Sequence, residues 1–338
     1  MFKNFLNVAF GLLGLGADVV TVTSGTAGNA GNVAADLQTY FSAKLLEVAE
    51  LNTILDQFGE KAPVPSNSSK TIQFVREEKF TTSTSPTQLT EGLPPDAVGL
   101  TLNQFDAVME QYGFLTRISD LAELTAKHPI VQRTMHLMSL QAAETYDQLI
   151  FNVLNSSTQT YFPNGRTAIT GLLPTDLPSY NDLTAIEAQL QTLGERGMDG
   201  GDYVAVMAPN AYNALLRDPD WKASHQLSSP DKIWRGEVDT LAGIRVVRSN
   251  APGFLPNTTN SGAGQSTKVY SSFVIGRYAY QISDLQNLRV YVVAPGGQTD
   301  PLQQSRKLGW KFAFKAIITN NNWLTAYFTS GLDSLAHA

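Results

Sequence analysis

Residues 129–154 read PIVQRTMHLMSLQAAETYDQLIFNVL. Val131, Met135, Met138, Ala142, Tyr146, Leu149 and Val153 recur at three- and four-residue spacing, which lays one apolar stripe along a helix. Pro129 suits the first turn, where a missing N–H costs no intrahelical bond. At about 1.5 Å per residue the helix is ~39 Å long. A stripe of that length needs a large apolar surface to cover it. It suits a spine around which a domain is built, although an ordinary long core helix carries the same pattern.

Upstream, Lys70–Phe80 (KTIQFVREEKF) alternates in period two, with Ile72, Phe74 and Arg76 on one face and Gln73 and Val75 on the other. Thr81–Gly99 holds three prolines, Gly92, Gly99 and a Thr/Ser run, and reads as a long polar loop. Thr101–Ser119 returns as a second extended stretch, Phe105, Ala107 and Met109 alternating with Asp106, Val108 and Glu110. Two long strands around a polar tip make a flap. Such a hairpin is marginally stable alone, so its length argues for docking on a neighbour.

Before the flap, Asn32–Phe58 reads as a helix with Asn32 as N-cap, apolar residues from Leu37 to Leu55 at helical spacing, and Gly59 ending it. Pro63 and Pro65 mark the link to the flap. Residues 1–32 begin with Lys3 and a glycine-broken apolar run, then turn Thr/Ser/Gly/Asn-rich. They read as an arm that gains order against a partner; a cleaved signal peptide is the alternative.

Downstream of the spine, the Pro/Gly/Asn-rich Tyr161–Ser179 marks a boundary, and helices and strands then alternate. Asn181–Arg196 is an amphipathic helix, Asp202–Ala208 a buried strand, and Pro209 opens a second helix through Leu216. Gly243–Ser249, Val269–Gly276 and Leu288–Val293 are strands, and Asn250–Gln265 is a polar loop. Residues 179–287 thus form an α/β subdomain inserted between the spine and the chain's end. Arg306–Ile318 is a strand with Trp310, Phe312, Phe314 and Ala316 on one face. Asn320–Asn322 turns it into Trp323–Thr329, a final hairpin expected to pack on the spine's stripe.

The 338 residues carry 24 Lys+Arg against 30 Asp+Glu, and only 16% are charged, below the roughly 25% usual for soluble domains. That balance speaks against a sequence-specific DNA-binding module, which shows a basic stripe. Amides and hydroxyls replace the missing charge, which suits a surface facing copies of itself. The absence of cysteine removes disulfides, thiolate metal sites and cysteine nucleophiles together. Glu77-Glu78 and Glu91 with Asp96 are paired carboxylates in a solvated flap. His128 and His136 share no acidic residue at ligand spacing. Gly200-Gly201 and Gly296-Gly297 belong to no phosphate-binding fingerprint, no Gly-x-Ser-x-Gly elbow occurs, and Asp199–Asp202 reads as a helix-to-strand turn. No catalytic, cofactor or metal residue is assigned.

The order of arm, helix, flap, spine helix, inserted α/β domain and returning strands resembles the major capsid protein fold of tailed bacteriophages, shared with encapsulins. The wording is similar to the N-four-like podophage coat proteins. The residues that carry it are Lys70-Thr71-Ile72-Gln73-Phe74, Glu91-Gly92 with Pro95-Asp96, Gln111-Tyr112-Gly113 before Ser119-Asp120, and Gly276-Arg277-Tyr278-Ala279. The resemblance implies an α+β fold with an N-terminal arm (1–32), a helix and connection (33–69), an E-loop flap (70–118), a P-domain spine (119–178), an A-domain (179–287) and return strands (288–338). It implies a structural, non-catalytic protein without cofactor, forming hexamers and pentamers of an icosahedral head around double-stranded DNA. Assembly takes place in the host cytoplasm. The partners implied are other copies of the chain, DNA without sequence specificity, a portal, and scaffolding and decoration proteins, with no membrane. Glu91, Asp96, Arg76 and Arg117 are the candidate inter-subunit contacts. Some members of the fold cross-link through a Lys, an Asn and a Glu; no such trio is placed here, so assembly is expected to be noncovalent. An encapsulin-type compartment and a secreted hydrolase are the competing readings.

Overall fold

A computed structural model of the protein describes residues 53–62, 70–78, 80, 91–92, 99–195, 197–198, 201–222, 243–256, 268–293 and 302–331. Along them run β1 (Glu60–Lys61), β2 (Thr71–Glu77), β3 (Leu102–Val108), β4 (Glu110–Ser119), α1 (Asp120–Thr125), α2 (Ile130–Leu154) and β5 (Thr160–Tyr161). There follow α3 (Tyr180–Thr192), β6 (Tyr203–Met207), α4 (Pro209–Leu215), β7 (Ile244–Arg248), β8 (Val269–Ile275), β9 (Tyr280–Val293), β10 (Ser305–Ile318) and β11 (Leu324–Ser330). The strands make a four-stranded sheet in the order β1-β9-β10-β4, a five-stranded sheet in the order β5-β11-β8-β6-β7, and the ribbon β2-β3. The arm, and the helix read from Asn32 as far as residue 52, lie outside the described residues.

Helix α2 forms where its periodicity requires, with Pro129 at the N-cap. Met135, Met138 and Ala142 of the predicted stripe are buried, whereas Val131, Tyr146, Leu149 and Val153 are half-buried. Toward the C-terminus the buried face comprises Asp147, Ile150, Phe151 and Leu154 instead. The cause is a second partner. The middle of α2 lies on the four-stranded sheet, with Tyr146 at 4.6 Å from Phe314 and 5.7 Å from Phe312, ring to ring. Its last turns reach the other sheet through Phe151, whose ring is 5.1 Å from Phe273 of β8 and 4.9 Å from Phe254. One continuous core results, and α2 spans it.

Strand β10 earns its central position by strict alternation. Leu308, Trp310, Phe312, Phe314 and Ala316 are buried, while Lys307, Lys311 and Lys315 are half-buried on the opposite face. It pairs antiparallel with β9 on one side and β4 on the other. Trp310 stacks on Phe312 at 5.2 Å, and its Nε1–H donates to Gln141 Oε1 of α2 at 3.4 Å.

Several readings of the sequence are corrected. The final strands are consecutive but do not form a hairpin: β10 pairs with β9 and β4, whereas β11 pairs with β8 and β5. Every residue of β11 and of β8 is buried, so both need cover on two faces, which the five-stranded sheet provides. The short helical turn Asn321–Trp323, held by the Asn320 side chain accepting from Asn322 N–H at 3.1 Å, carries the chain between sheets. The strand read as Leu288–Val293 begins at Tyr280, so the return from the α/β region starts ahead of 287. The extended stretch 101–119 is shared at buried Met109 between the ribbon and the four-stranded sheet. Residues 55–57 form a 3-10 turn rather than the end of an α-helix, and β1 follows at once. Gly59 lies against Ile282 and Tyr280, where a Cβ would come within 2.6 Å of Ile282 Cδ1. Within the loop read from Asn250, the turn Pro252–Phe254 plants Phe254 in the core at 0% exposure.

This packing predicts the effect of a charge at its centre. Phe312→Asp or Met138→Asp would bury a carboxylate among aromatic and aliphatic groups at a cost of several kcal/mol. Both variants should be lost from the soluble fraction and show no cooperative melt by circular dichroism.

Candidate functional site

The ribbon and its anchorage are where the sequence placed contact residues. Strands β2 and β3 pair in register from Thr71↔Val108 to Glu77↔Leu102. Period two puts Phe74 and Ala107 on the inner face, 3% and 5% exposed, and leaves Val75, Leu102 and Val108 about half exposed on the outer one. Arg76 is half-buried and committed within its own chain. Its Nη1 donates to Thr319 O at 3.0 Å, its Nη2 lies 3.6 Å from Glu78 Oε1, and its guanidinium sits 5.6 Å over the Phe105 ring. Arg117 is exposed on β4, and Glu91 is exposed in a turn with Gly92 at φ +84°. Asp96 lies outside the described residues. Among the described residues the acid that meets Arg76 is Glu78, not Glu91.

Thr319, which receives Arg76, belongs to a double crossover between the two large sheets. Thr319 N–H and Asn320 N–H both donate to Ala279 O, at 3.0 and 3.3 Å, and Gly276 N–H donates to Trp323 O at 2.9 Å. The β8-to-β9 and β10-to-β11 connections are thus tied side by side. This accounts for the wording Gly276-Arg277-Tyr278-Ala279. A Cβ at Gly276 would come 2.4 Å from Glu195 Oε1, Tyr278 takes φ +60°, and Arg277 stacks over the Tyr278 ring at 4.7 Å. Gln111-Tyr112-Gly113 is explained as locally. Tyr112 packs its ring 5.7 Å from both Phe312 and Phe314, and its O–H donates to Glu110, which Lys315 Nζ also reaches at 2.9 Å. Burial and the Glu110 carboxylate push the Tyr112 hydroxyl up to about 12. A Cβ at Gly113 would stand 2.9 Å from Trp310 O.

A sequence profile of the phage capsid protein family matches residues 104–327, a span containing both crossovers, the spine and both large sheets. The chain belongs to the phage capsid protein family. No curated protein matches the sequence. Among solved structures, the capsid of Ralstonia phage GP4 is similar at a TM-score of 0.61 and 13% identity, over 85% of this chain and 93% of that one. The cyanophage Pam1 capsid asymmetric unit gives 0.65 and 9% identity over 81% and 89%. The virus-like particle from Pyrococcus furiosus gives 0.51 and 10% over 86% and 99%. At these identities the likeness is one of fold, the α+β fold of tailed-phage major capsid proteins. This capsid protein is a structural component of a virion shell and not an enzyme, so the hydrolase reading falls.

A cluster that the sequence reading missed fastens the segment before the flap to the spine of this capsid protein. Asp147, 1% exposed on α2, accepts the Ile54 N–H at 2.9 Å and so caps the 3-10 turn at Leu55–Gln57. Tyr280 O–H donates to Leu55 O, and Tyr146 O–H stands 3.2 Å from both Asp56 Oδ1 and Asp284 Oδ1. Lys61 Nζ balances Asp56 at 2.7 Å. A cavity of about 220 Å³ opens beside them, lined by Thr53, Asp56, Lys61, Tyr146, Asp284 and Phe312. Burial raises Tyr146 well above its ordinary range, so it remains a donor. The signal in the sequence was an aspartate between Ala143 and Ile150 on the buried side of the helix.

Burial pushes Asp147 up from 3.8 to about 6, against the pull of the Ile54 and Leu55 N–H groups. The folded chain therefore holds a proton there that the unfolded chain has released. Through this group stability is complete below pH 3.8 and is lost as pH rises through about 6. The full swing is on the order of 2–3 kcal/mol. The melting temperature should rise between pH 7.5 and 5.5, and Asp147→Asn, which keeps an acceptor for Ile54 N–H, should flatten that rise. Parallel thermal melts of the two chains check it.

Proposed function

We propose that this capsid protein is the subunit of an icosahedral head, assembling noncovalently as hexamers and pentamers around phage double-stranded DNA. In this reading residues 1–32 are the arm, 70–118 the E-loop region, 119–178 the P-domain with its spine, 179–287 the A-domain and 288–338 the return. The N-four-like podophage coat proteins are the branch whose wording it shares. A portal, scaffolding and decoration proteins complete the particle, which is built in the host cytoplasm.

The observation that carries the reading is the surface the subunit leaves open. Strand β4 forms the end of its sheet, paired only with β10 among the described residues, and a long free edge is a template for another chain. Leu115, Leu121, Leu124, Leu137 and Leu302 are each at least 65% exposed, far more apolar surface than a monomer carries without purpose. Glu91 and Asp96 at the flap tip would meet cations of another copy. Arg117 is the better recipient, because Arg76 is held by Thr319 and Glu78 of its own chain. Exposed pairs contribute about 0–1 kcal/mol each, yet shell symmetry repeats them many times.

Electron microscopy of the expressed chain, with scaffold where required, tests the reading, and shells with hexameric and pentameric vertices are the expected result. Particles from infected cells should hold DNA; foreign protein cargo without a genome would instead favour the encapsulin-type compartment. Deleting residues 84–96 and closing the ribbon with a short Gly-containing turn should leave subunit circular dichroism and melting nearly unchanged. Particle yield should fall sharply. A deletion that unfolds the subunit would assign the tip to its own core.

A further inference from the structure

Paired residues of an antiparallel sheet share a face, so the register of the four-stranded sheet fixes what its outer side displays. Away from α2 it shows three cross-strand rows: Val293–Lys307–Arg117, Tyr291–Gly309–Leu115 and Arg289–Lys311–Gly113. The outer rows carry cations and no carboxylate, in a chain whose net charge is −6. The middle row is apolar, with Leu115 lying over Gly309. Arg117, Arg289, Leu115, Tyr291 and Val293 are exposed.

The ribbon's outer face is the counterpart of this pattern. Thr71, Gln73, Val75 and Glu77 of β2 and Leu102, Gln104, Asp106 and Val108 of β3 are all exposed, with two carboxylates and no cation. Asp106 pairs with Gln73, four residues along β2 from Glu77, which sets the acids two rows apart, or ~13 Å. Arg117 and Arg289 are likewise two rows apart on the sheet, again ~13 Å. Val75 occupies the row between the acids, as Leu115 and Tyr291 occupy the row between the cations. Both faces are exposed in one subunit, so they do not cover each other within it.

We infer that the outer face of the ribbon docks on the outer face of the four-stranded sheet of a second copy, Glu77 and Asp106 meeting the Arg117 and Arg289 rows and Val75 meeting Leu115 and Tyr291. The inference rests on the shell reading and names the recipient surface for the flap. A DNA backbone would satisfy the cations but leave the apolar row uncovered.

Because the chain has no cysteine, the contact can be tested by disulfide trapping. Assembled particles of the Val75→Cys/Leu115→Cys double variant, oxidised and run without reductant, should give a ladder of linked subunits, and neither single variant should. Arg117→Glu/Arg289→Glu should lose particle yield, and adding Glu77→Lys/Asp106→Lys should restore it. Failure of the unmodified chain to form particles would remove the shell reading and this inference with it. Normal particles without a ladder, or a charge reversal that the swap does not rescue, would overturn the inference alone. If the reversed chain assembles normally and instead loses binding to a double-stranded DNA fragment, the face serves nucleic acid and the inference is wrong.

Discussion

The burial of Trp310, Phe312 and Phe314 beneath the middle of α2 is the constraint from which the other elements take their places. These side chains occupy alternate positions of β10, so satisfying them fixes which face of the sheet meets the helix. The same choice sends Lys307, Lys311 and Arg117 to the opposite face. Tyr146 reaches across the aromatic row and ends against Asp56 and Asp284, which ties the segment before the flap to the same centre. Asp147 reinforces that tie at the cost of a carboxylate kept out of water.

A second sheet shares the helix, and the two are joined at the paired crossovers. Ala279 O receives two N–H groups from the β10-to-β11 turn, and Gly276 N–H returns one to Trp323, so neither connection can shift without the other. Arg76 brings the ribbon to this junction through Thr319 O. The flap is therefore hung from the point where the sheets meet, and its orientation follows the core rather than its own marginal hairpin.

What the core does not use is set out for assembly. The inner face of the ribbon is largely satisfied by its own subunit; its outer face, the β4 edge and the outer side of the four-stranded sheet are not. A fold that completes its interior and leaves paired, patterned exteriors suits a protein made to contact copies of itself, and membership of the phage capsid protein family gives that pattern its purpose.

Period and punctuation in the sequence determined the local elements: α2 from its 3.6-residue stripe, the alternation of β2, β3, β4 and β10, and α4 from Pro209. The ordered wording around Gln111-Tyr112-Gly113 and Gly276–Ala279 was enough to point to the family, because each phrase meets a local demand for close approach or a turn. Tertiary structure alone decided partners. Period two says that a residue belongs to a strand and which neighbours share its face, but not which distant strand lies beside it. The division of 305–330 between two sheets, the sharing of 101–119 at Met109, and the burial of Phe254 all arose from that gap. Asp147 escaped notice for a related reason: its role depends on Ile54, 93 residues away, and no local pattern records a bond that only the folded chain can make.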